Sequence, residues 1–412
     1  MNSSVEVRSF PYPFSAGLAI CSDIDNSTFD GFLKIHRFLN TDQITEFGEG
    51  LNLEIGDSFW MYSVHPSIDD AFTYFDGTSF SPTRYAETMR ELIRAGYLDT
   101  IHTWGNFSER GGFSRSYAEV ACEELDKYGL HPPVWVNHDD GLWNTQRLGG
   151  PGQGHVKGTS SYHADLTFEL GIRYVWENLL TTVVGQSRPL HLRDDLNLSS
   201  LQSLLFRPAL YWWRGAVDQP WLGNDLISQR PLFPHIDKRV RSFTRYGWWF
   251  QATGDDLPLL LANDTLERLC KNNGAMIVYV HTGQQFPESR YPLSEESVMA
   301  LFRLAEFARF GRIFVTTTSR LLRYIQVRDS LRWRYSDDEH GITIHIDAVR
   351  YKNDDLLPVD EETCMGLTFY TPKPDKTTVI GPKGKLPTIV NLVDESGRTT
   401  VSIPWKPLRW PL

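Results

Sequence analysis

Two aspartates stand one residue apart, directly after a short run of small and apolar residues. The run, Ala19–Ser22, predicts a buried β-strand, and Asp23 and Asp25 follow it. Because residues i and i+2 of a strand share one side, both carboxylates can point to the same place, where a cation would relieve their repulsion. One aspartate could then bind a metal ion while the other acts as a base. Alternatively, Asp25 caps the helix that follows, together with Ser27 and Thr28.

Two later strand ends carry side chains of the same chemical kind. His102 lies near the end of the third predicted strand, and Asn106 follows four residues later. His281 directly follows the apolar run Ala275–Val280. Chemistry in α/β folds gathers at the carboxyl ends of strands, and carboxylate, imidazole and amide groups are donors for a zinc-class ion. Such an ion activates water, so the site also needs a base and an acid. Asp23 and His281 suit these two roles.

In their order and placement, these motifs resemble those of the polysaccharide deacetylase (NodB-homology) family, carbohydrate esterase family four. That family has a distorted (β/α) barrel, two aspartates after the first strand, a His-Ser/Thr-x-x-His motif, and a late apolar strand that ends in histidine. The resemblance covers about residues 15–325 and implies that Asp23 is the base, that Asp25 and His102 bind metal, and that His281 is the acid. It also implies a divalent metal cofactor, zinc in the first place, with cobalt, nickel or manganese as alternatives.

The chain departs from the family pattern at two positions. Asn106 stands where the second metal-binding histidine is expected; its amide oxygen can ligate, but it is a weaker zinc donor than imidazole. The family's Arg-Pro motif, whose arginine orients the base, is replaced by Asn137–Gly141. Arg147 could take over that role on grounds of sequence proximity alone. His138 could be a further metal ligand or a substrate contact.

Several residues near these motifs are predicted to contact a substrate. They lie in or shortly after the segment that replaces the Arg-Pro motif, or are tryptophans that could form the walls of a sugar pocket: His138, Asp139, Arg147, Trp143 and Trp176. The chain has 13 tryptophans, and aromatic side chains commonly line ligand pockets. Core packing is the alternative role for Trp176.

Strands and helices alternate along most of the chain, which favours a parallel α/β sheet or barrel. We therefore predict a barrel domain over residues 1–330, with an irregular insertion at about 178–250. Residues 331–412 change to short alternating stretches between Pro, Gly and Asp turns, which predicts a small antiparallel β module. The predicted fold class is α/β, and the family resemblance implies a distorted (β/α) barrel of the polysaccharide deacetylase type.

Composition and charge argue against several classes of protein. The 412-residue chain is 41% hydrophobic, as expected of a globular protein, and its net charge of −10 without a basic run argues against a nucleic-acid partner. No apolar run approaches the ~20 residues of a membrane span. The four cysteines match no zinc-finger or redox spacing and are predicted to be free thiols in a reducing compartment. The N-terminus lacks the pattern of a secretion signal, so we expect a cytoplasmic protein.

These features favour metal-dependent removal of an acetyl group from an N-acetylated sugar or glycan intermediate. Two alternatives stay open. The departures at Asn106 and at the Arg-Pro position could mark a catalytically inactive barrel that only binds glycan. The same scaffold could also carry an O-acetyl esterase or another amide hydrolase.

Overall fold

A computed structural model describes most of the chain. The described residues are 4–24, 27–63, 72–107, 112–137, 145–150, 152–188, 224–247, 253–283, 293–350 and 356–412. No helix within these ranges is long and apolar enough to cross a membrane.

The strands within these ranges are mostly short. In chain order they are β1 (Glu6–Val7), β2 (Ala16–Ser22), β3 (Ile44–Thr45), β4 (Gly48–Glu49), β5 (Gly56–Phe59), β6 (Leu98–His102), β7 (Val134–Val136), β8 (Tyr174–Trp176), β9 (Leu180–Thr181), β10 (Arg241–Ser242), β11 (Arg245–Tyr246), β12 (Ala275–Val280), β13 (Ile313–Val315), β14 (Leu331–Asp338), β15 (Gly341–Arg350), β16 (Leu356–Leu357), β17 (Thr368–Tyr370), β18 (Thr377–Gly381), β19 (Gly384–Lys385), β20 (Ile389–Val390) and β21 (Thr400–Ser402).

Helices alternate with most strands of the main sheet, as the sequence predicts. Those in the described residues are α1 (Phe29–Asn40), α2 (Ala86–Ala95), α3 (Arg115–Lys127), α4 (Ala164–Leu170), α5 (Leu257–Leu260), α6 (Asn263–Lys271), α7 (Glu295–Arg309) and α8 (Thr318–Ser330). Gly96 ends α2: it adopts a left-handed φ of +83°, and its N–H donates to the carbonyls of Ile93 and Leu92.

The main sheet is parallel throughout its described pairings and curls into a half-barrel. Its strands follow in the order β10-β8-β7-β6-β5-β2-β12-β11-β9, and β13 also pairs with β2. Parallel neighbours require crossover connections, which explains the alternation of strands and helices in the sequence. The predicted α/β class with barrel-like curvature is therefore confirmed.

β2 lies at the centre of this sheet. β12 pairs with Gly17–Ser22 on one side, while on the other side β13 pairs with the first half of β2 and β5 with its end. Alternate residues face opposite clusters: Leu18 and Ile20 pack with α1, α6 and α7, whereas Ala19 and Cys21 pack with α8. The run of small and apolar residues is what allows β2 to be buried on both faces.

The C-terminal part of the chain forms two further sheets. One has the order β14-β15-β18-β19, with β16 beside β15; the other has the order β1-β17-β21-β20 and so includes the N-terminal strand. Their pairings are antiparallel, as predicted, except that β15 and β18 are parallel. Alternation in the sequence indicates which face of a strand is buried, but it does not determine the direction of the neighbouring strand.

The region predicted to be an irregular insertion contributes strands to the main sheet. β10 pairs with β8, and β11 pairs with both β12 and β9. Each of β9, β10 and β11 has two residues, which is too short for a periodic pattern to be visible in the sequence. Residues 189–223 of this region lie outside the described residues.

Candidate functional site

Asp23 is a buried carboxylate just beyond the carboxyl end of β2. It is 0% exposed, and neither of its carboxylate oxygens has a hydrogen-bond partner among the described residues. Its backbone N–H donates to the carbonyl of Val280 at 3.0 Å, which holds it against β12. Burying an ionised carboxylate without partners is costly, so this position favours a cation or another ligand beside it.

His102, the last residue of β6, lies beside Asp23. Its Nε2 atom is 3.6 Å from Oδ2 of Asp23, which is within ion-pair range but longer than a good hydrogen bond. The imidazole is buried and stacks on the ring of Trp60, with centroids 5.7 Å apart and an interplanar angle of 23°. The fold therefore brings a predicted metal ligand next to the predicted base.

The backbone turns sharply directly after His102. Thr103 has a φ of +51°, in the left-handed region that β-branched residues rarely adopt. Its N–H donates to the carbonyl of Val136 at 2.9 Å, and its hydroxyl donates to the carbonyl of Gly105 at 3.0 Å. These bonds hold the strained residue in place, and strain of this kind clusters at functional sites.

His281 lies level with Asp23 on the neighbouring strand. The last paired residues of β2 and β12 are Ser22 and Val280, so the next residues along the two strands are Asp23 and His281. The His281 side chain is half-buried, and its Nε2 lies 3.1 Å from the hydroxyl of Tyr279. The predicted base and the predicted acid thus occupy the same end of two adjacent strands.

The structure describes some of the other predicted site residues and leaves others outside the described ranges. Asn106 and Arg147 are both buried, in the segments after β6 and β7. Trp176 is buried as well, and its indole N–H donates to the carbonyl of Leu179 at 2.9 Å. Four predicted residues lie outside the described residues: Asp25, His138, Asp139 and Trp143.

The alternative role of Asp25 was to cap the first helix. The N-cap of α1 is Thr28, whose hydroxyl accepts the N–H of Gly31 at 3.2 Å, so this helix has a cap without Asp25. Within the described part of the chain, no group of three or more His, Cys, Asp and Glu side chains is arranged to hold a metal ion. Of the three predicted metal ligands, the described residues include His102 and Asn106 but not Asp25.

A buried arginine that no sequence motif indicated contacts Cys21, which lies two residues before Asp23. Arg245 on β11 is 0% exposed, and its Nη2 atom donates to the sulfur of Cys21 at 3.0 Å. Its Cζ atom lies 4.0 Å from the ring centroid of Trp176 and 4.4 Å from that of Tyr279. The only signal in the sequence is a single basic residue beside an aromatic one, which is too common to indicate a site.

A second buried aspartate lies on the helix-facing side of the same sheet. Oδ2 of Asp57 is 3.1 Å from Nε2 of His36 on α1, and Oδ1 accepts the N–H of Ser58 at 2.8 Å. Nδ1 of His36 lies 3.0 Å from the amide nitrogen of Asn40. Burial raises the pKa of Asp57, and the hydrogen bond with His36 opposes part of that rise. These contacts connect β5 to α1 and belong to the scaffold.

The segment that carries Arg147 is held by another set of buried hydrogen bonds. The amide of Asn137 donates to the carbonyl of Leu148 at 2.7 Å, and its oxygen accepts the N–H of the same residue at 3.0 Å. Nε2 of His163 donates to the carbonyl of Gln146 at 2.7 Å. Burial lowers the pKa of His163 to about 4, so the imidazole is neutral at pH 7. These bonds hold the described residues 146–148 in place.

Comparison with known proteins adds no family to this geometry. No protein-family model matches the chain, and no curated protein matches its sequence. The resemblance to polysaccharide deacetylases therefore depends on the motifs themselves.

Proposed function

We propose that this protein is a metal-dependent hydrolase that removes an acetyl group from an N-acetylated sugar. The observation that carries the proposal is the carboxylate of Asp23, which is fully buried, has no hydrogen-bond partner among the described residues and lies 3.6 Å from His102. A divalent cation would offset this buried negative charge. A carboxylate beside an imidazole is also donor chemistry that suits zinc.

Asp25, His102 and Asn106 are the residues proposed to hold the ion. They supply one carboxylate, one imidazole and one amide oxygen, and three protein ligands are the usual number in a catalytic zinc site. The position of His102 beside Asp23 supports this set. When bound, the ion would lower the pKa of a water to about 7 and polarise the carbonyl of the acetyl group.

Asp23 is the proposed general base. It accepts a proton from the attacking water as the new carbon–oxygen bond forms. Because both carboxylate oxygens lack a hydrogen-bond donor among the described residues, either one can accept this proton. The backbone bond to Val280 keeps Asp23 beside the strand that carries the acid.

His281 is the proposed general acid. It donates a proton to the amine nitrogen as the carbon–nitrogen bond breaks. Its side chain is half-buried, so a substrate can reach it, and the hydroxyl of Tyr279 at 3.1 Å from Nε2 limits the rotation of the imidazole.

Acetate release from a panel of N-acetylated sugars, measured with added zinc, tests this proposal. Asp23→Asn keeps the size of the side chain but removes the base, so we expect the rate to fall about 10²–10⁴-fold. Asp42→Asn is the matched control, because Asp42 is exposed, and it should release acetate at the wild-type rate.

Two results would contradict the proposal. One is acetate release by Asp23→Asn at the wild-type rate. The other is the absence of release from every N-acetylated sugar with zinc, cobalt, nickel and manganese supplied in turn.

A further inference from the structure

Arg245 has fewer partners than a buried guanidinium normally requires. A guanidinium has five N–H donors. Nη2 donates to the sulfur of Cys21 at 3.0 Å, while Nε and Nη1 are buried and have no hydrogen-bond partner in the described part of the chain. No ion pair joins Arg245 to a carboxylate among the described residues either. Buried polar groups are nearly always paired, so the missing hydrogen-bond acceptor, which the described residues do not supply, is expected to come from a ligand.

The contacts that Arg245 does make leave its charge unbalanced. Burial raises the pKa of the Cys21 thiol to about 12, so the sulfur is uncharged at neutral pH. The rings of Trp176 and Tyr279 lie 4.0 and 4.4 Å from Cζ and provide cation–π attraction. That attraction is weaker than the cost of removing a cation from water, so an anion beside Arg245 would be strongly favoured.

The guanidinium contacts residues that closely precede Asp23 and His281 in the sequence. Cys21 precedes Asp23 by two residues, and Tyr279 precedes His281 by two residues, which is a distance of about 6.6 Å along a strand. Tyr279 and His281 are half-buried, whereas Arg245 is fully buried. Tyr279 is thus a partly exposed residue in contact with the buried guanidinium.

We propose that Arg245 is a binding site for a carboxylate group of a ligand that enters past His281. The planar guanidinium presents its donors in the geometry of a carboxylate, and one cation balances one negative charge. A phosphate monoester carries about −1.5 to −2 charges at pH 7, more than this single cation balances. The carboxylate has two sources: acetate itself, or an acidic substituent of a larger ligand such as a sugar acid. This site does not depend on the proposed hydrolysis.

Calorimetric titration of the metal-free protein tests the site independently of any enzymatic activity. Sodium acetate, sodium glucuronate and neutral glucose are added at an ionic strength kept constant with sodium chloride. We expect at least one carboxylate to bind and glucose not to bind. Binding of acetate alone identifies the small acid as the source, and binding of glucuronate identifies an acidic sugar.

Two variants separate this site from a general effect of charge. Arg245→Met removes the cation at similar volume, so the carboxylate Kd should weaken at least about tenfold. Its Tm without ligand should be no lower than that of the wild-type protein, because an unpaired buried charge is lost. Arg312→Met is the matched control: Arg312 is partly exposed and pairs with Glu267 at 2.6 Å, so its loss should leave the carboxylate Kd unchanged.

If Arg245→Met does not fold, Arg245→Lys replaces it, since lysine keeps the charge but lacks the planar set of donors. This variant should also bind the carboxylate more weakly than the wild-type protein. The assignment is overturned if neither carboxylate binds to the wild-type protein, or if the Kd is the same in the Arg245 variant that folds.

Discussion

Asp57, on β5, and Asp23, just beyond the end of the neighbouring strand β2, are both buried aspartates, but their surroundings differ. Asp57 faces α1, where His36 and the N–H of Ser58 meet its two oxygens at 3.1 and 2.8 Å. Asp23 lies at the carboxyl end of β2. There the described residues offer its carboxylate one imidazole at 3.6 Å and no hydrogen bond. Both oxygens of Asp57 therefore have partners within the protein, whereas the described residues supply no hydrogen bond to the carboxylate of Asp23, a position that favours a ligand.

Arg245 extends this contrast to a charge of the opposite sign. It contacts Cys21, two residues before Asp23, and it has no ion-pair partner among the described residues. Folded proteins hydrogen-bond nearly all of their buried polar groups, so two neighbouring charged groups whose polar atoms lack hydrogen bonds among the described residues favour a ligand at this place. The helix-facing side of β2 and β5 thus stabilises the fold, and the carboxyl end of β2 is the candidate binding region.

The largest expected effect on stability is the loss of the Asp57 group. Asp57→Ala leaves His36 buried without its carboxylate, so the free energy of unfolding should fall by about 3–5 kcal/mol. Chemical denaturation at pH 7 measures this change. Asp42→Ala, at an exposed aspartate, is the control and should stay within about 0.5 kcal/mol of the wild-type value. If Asp57→Ala also lowered the free energy of unfolding by no more than about 0.5 kcal/mol, Asp57 would not stabilise the fold and the contrast with Asp23 would be wrong.

A smaller, pH-dependent effect is expected at His163. Its pKa is about 4 in the folded protein and about 6.5 for a histidine exposed to water in the unfolded chain, so between these values the unfolded chain binds more protons. Stability therefore falls as the pH decreases from about 6.5 to about 4. His163→Gln should reduce the difference in unfolding free energy between pH 7.5 and pH 5 by about 2 kcal/mol.

The control for this measurement is His340→Gln, because the side chain of His340 is 87% exposed. Denaturation curves at the two pH values should be the same for this variant and the wild-type protein. An unchanged pH dependence in His163→Gln would show that the loop after β7 is not held by a neutral buried histidine.

Much of the fold was predictable because local patterns agree with the tertiary structure. The run Ala19–Ser22 is apolar enough for burial on both faces of the sheet, and Gly96 ends α2 where only a left-handed residue fits. The parallel pairing of β15 with β18 and the two-residue strands β9, β10 and β11 were not predictable. Their positions depend on neighbours that are distant in the sequence, and two residues carry no periodic signal.

The candidate site, like the fold, was predictable from the sequence only in part. Asp23, His102 and His281 could be grouped from the sequence because each follows or ends a strand of one parallel sheet, and such ends meet at one edge. Arg245 could not be recognised, because what distinguishes it is the lack of partners in the folded protein rather than its sequence context. The roles assigned to Asp25, Asn106, His138 and Arg147 stay predictions.

The most direct test compares the unfolding free energy of the wild-type protein and Asp23→Asn, with and without metal. Without metal, Asp23→Asn should be at least as stable as the wild-type protein, because the amide replaces a buried carboxylate that has no hydrogen bonds among the described residues. Zinc at 100 times its Kd should stabilise the wild-type protein by about 2.7 kcal/mol, and the variant by less. If no zinc-class ion stabilises the wild-type protein, and Asp23→Asn is destabilised as much as Asp57→Ala, then Asp23 belongs to the scaffold and the proposed metal site is wrong.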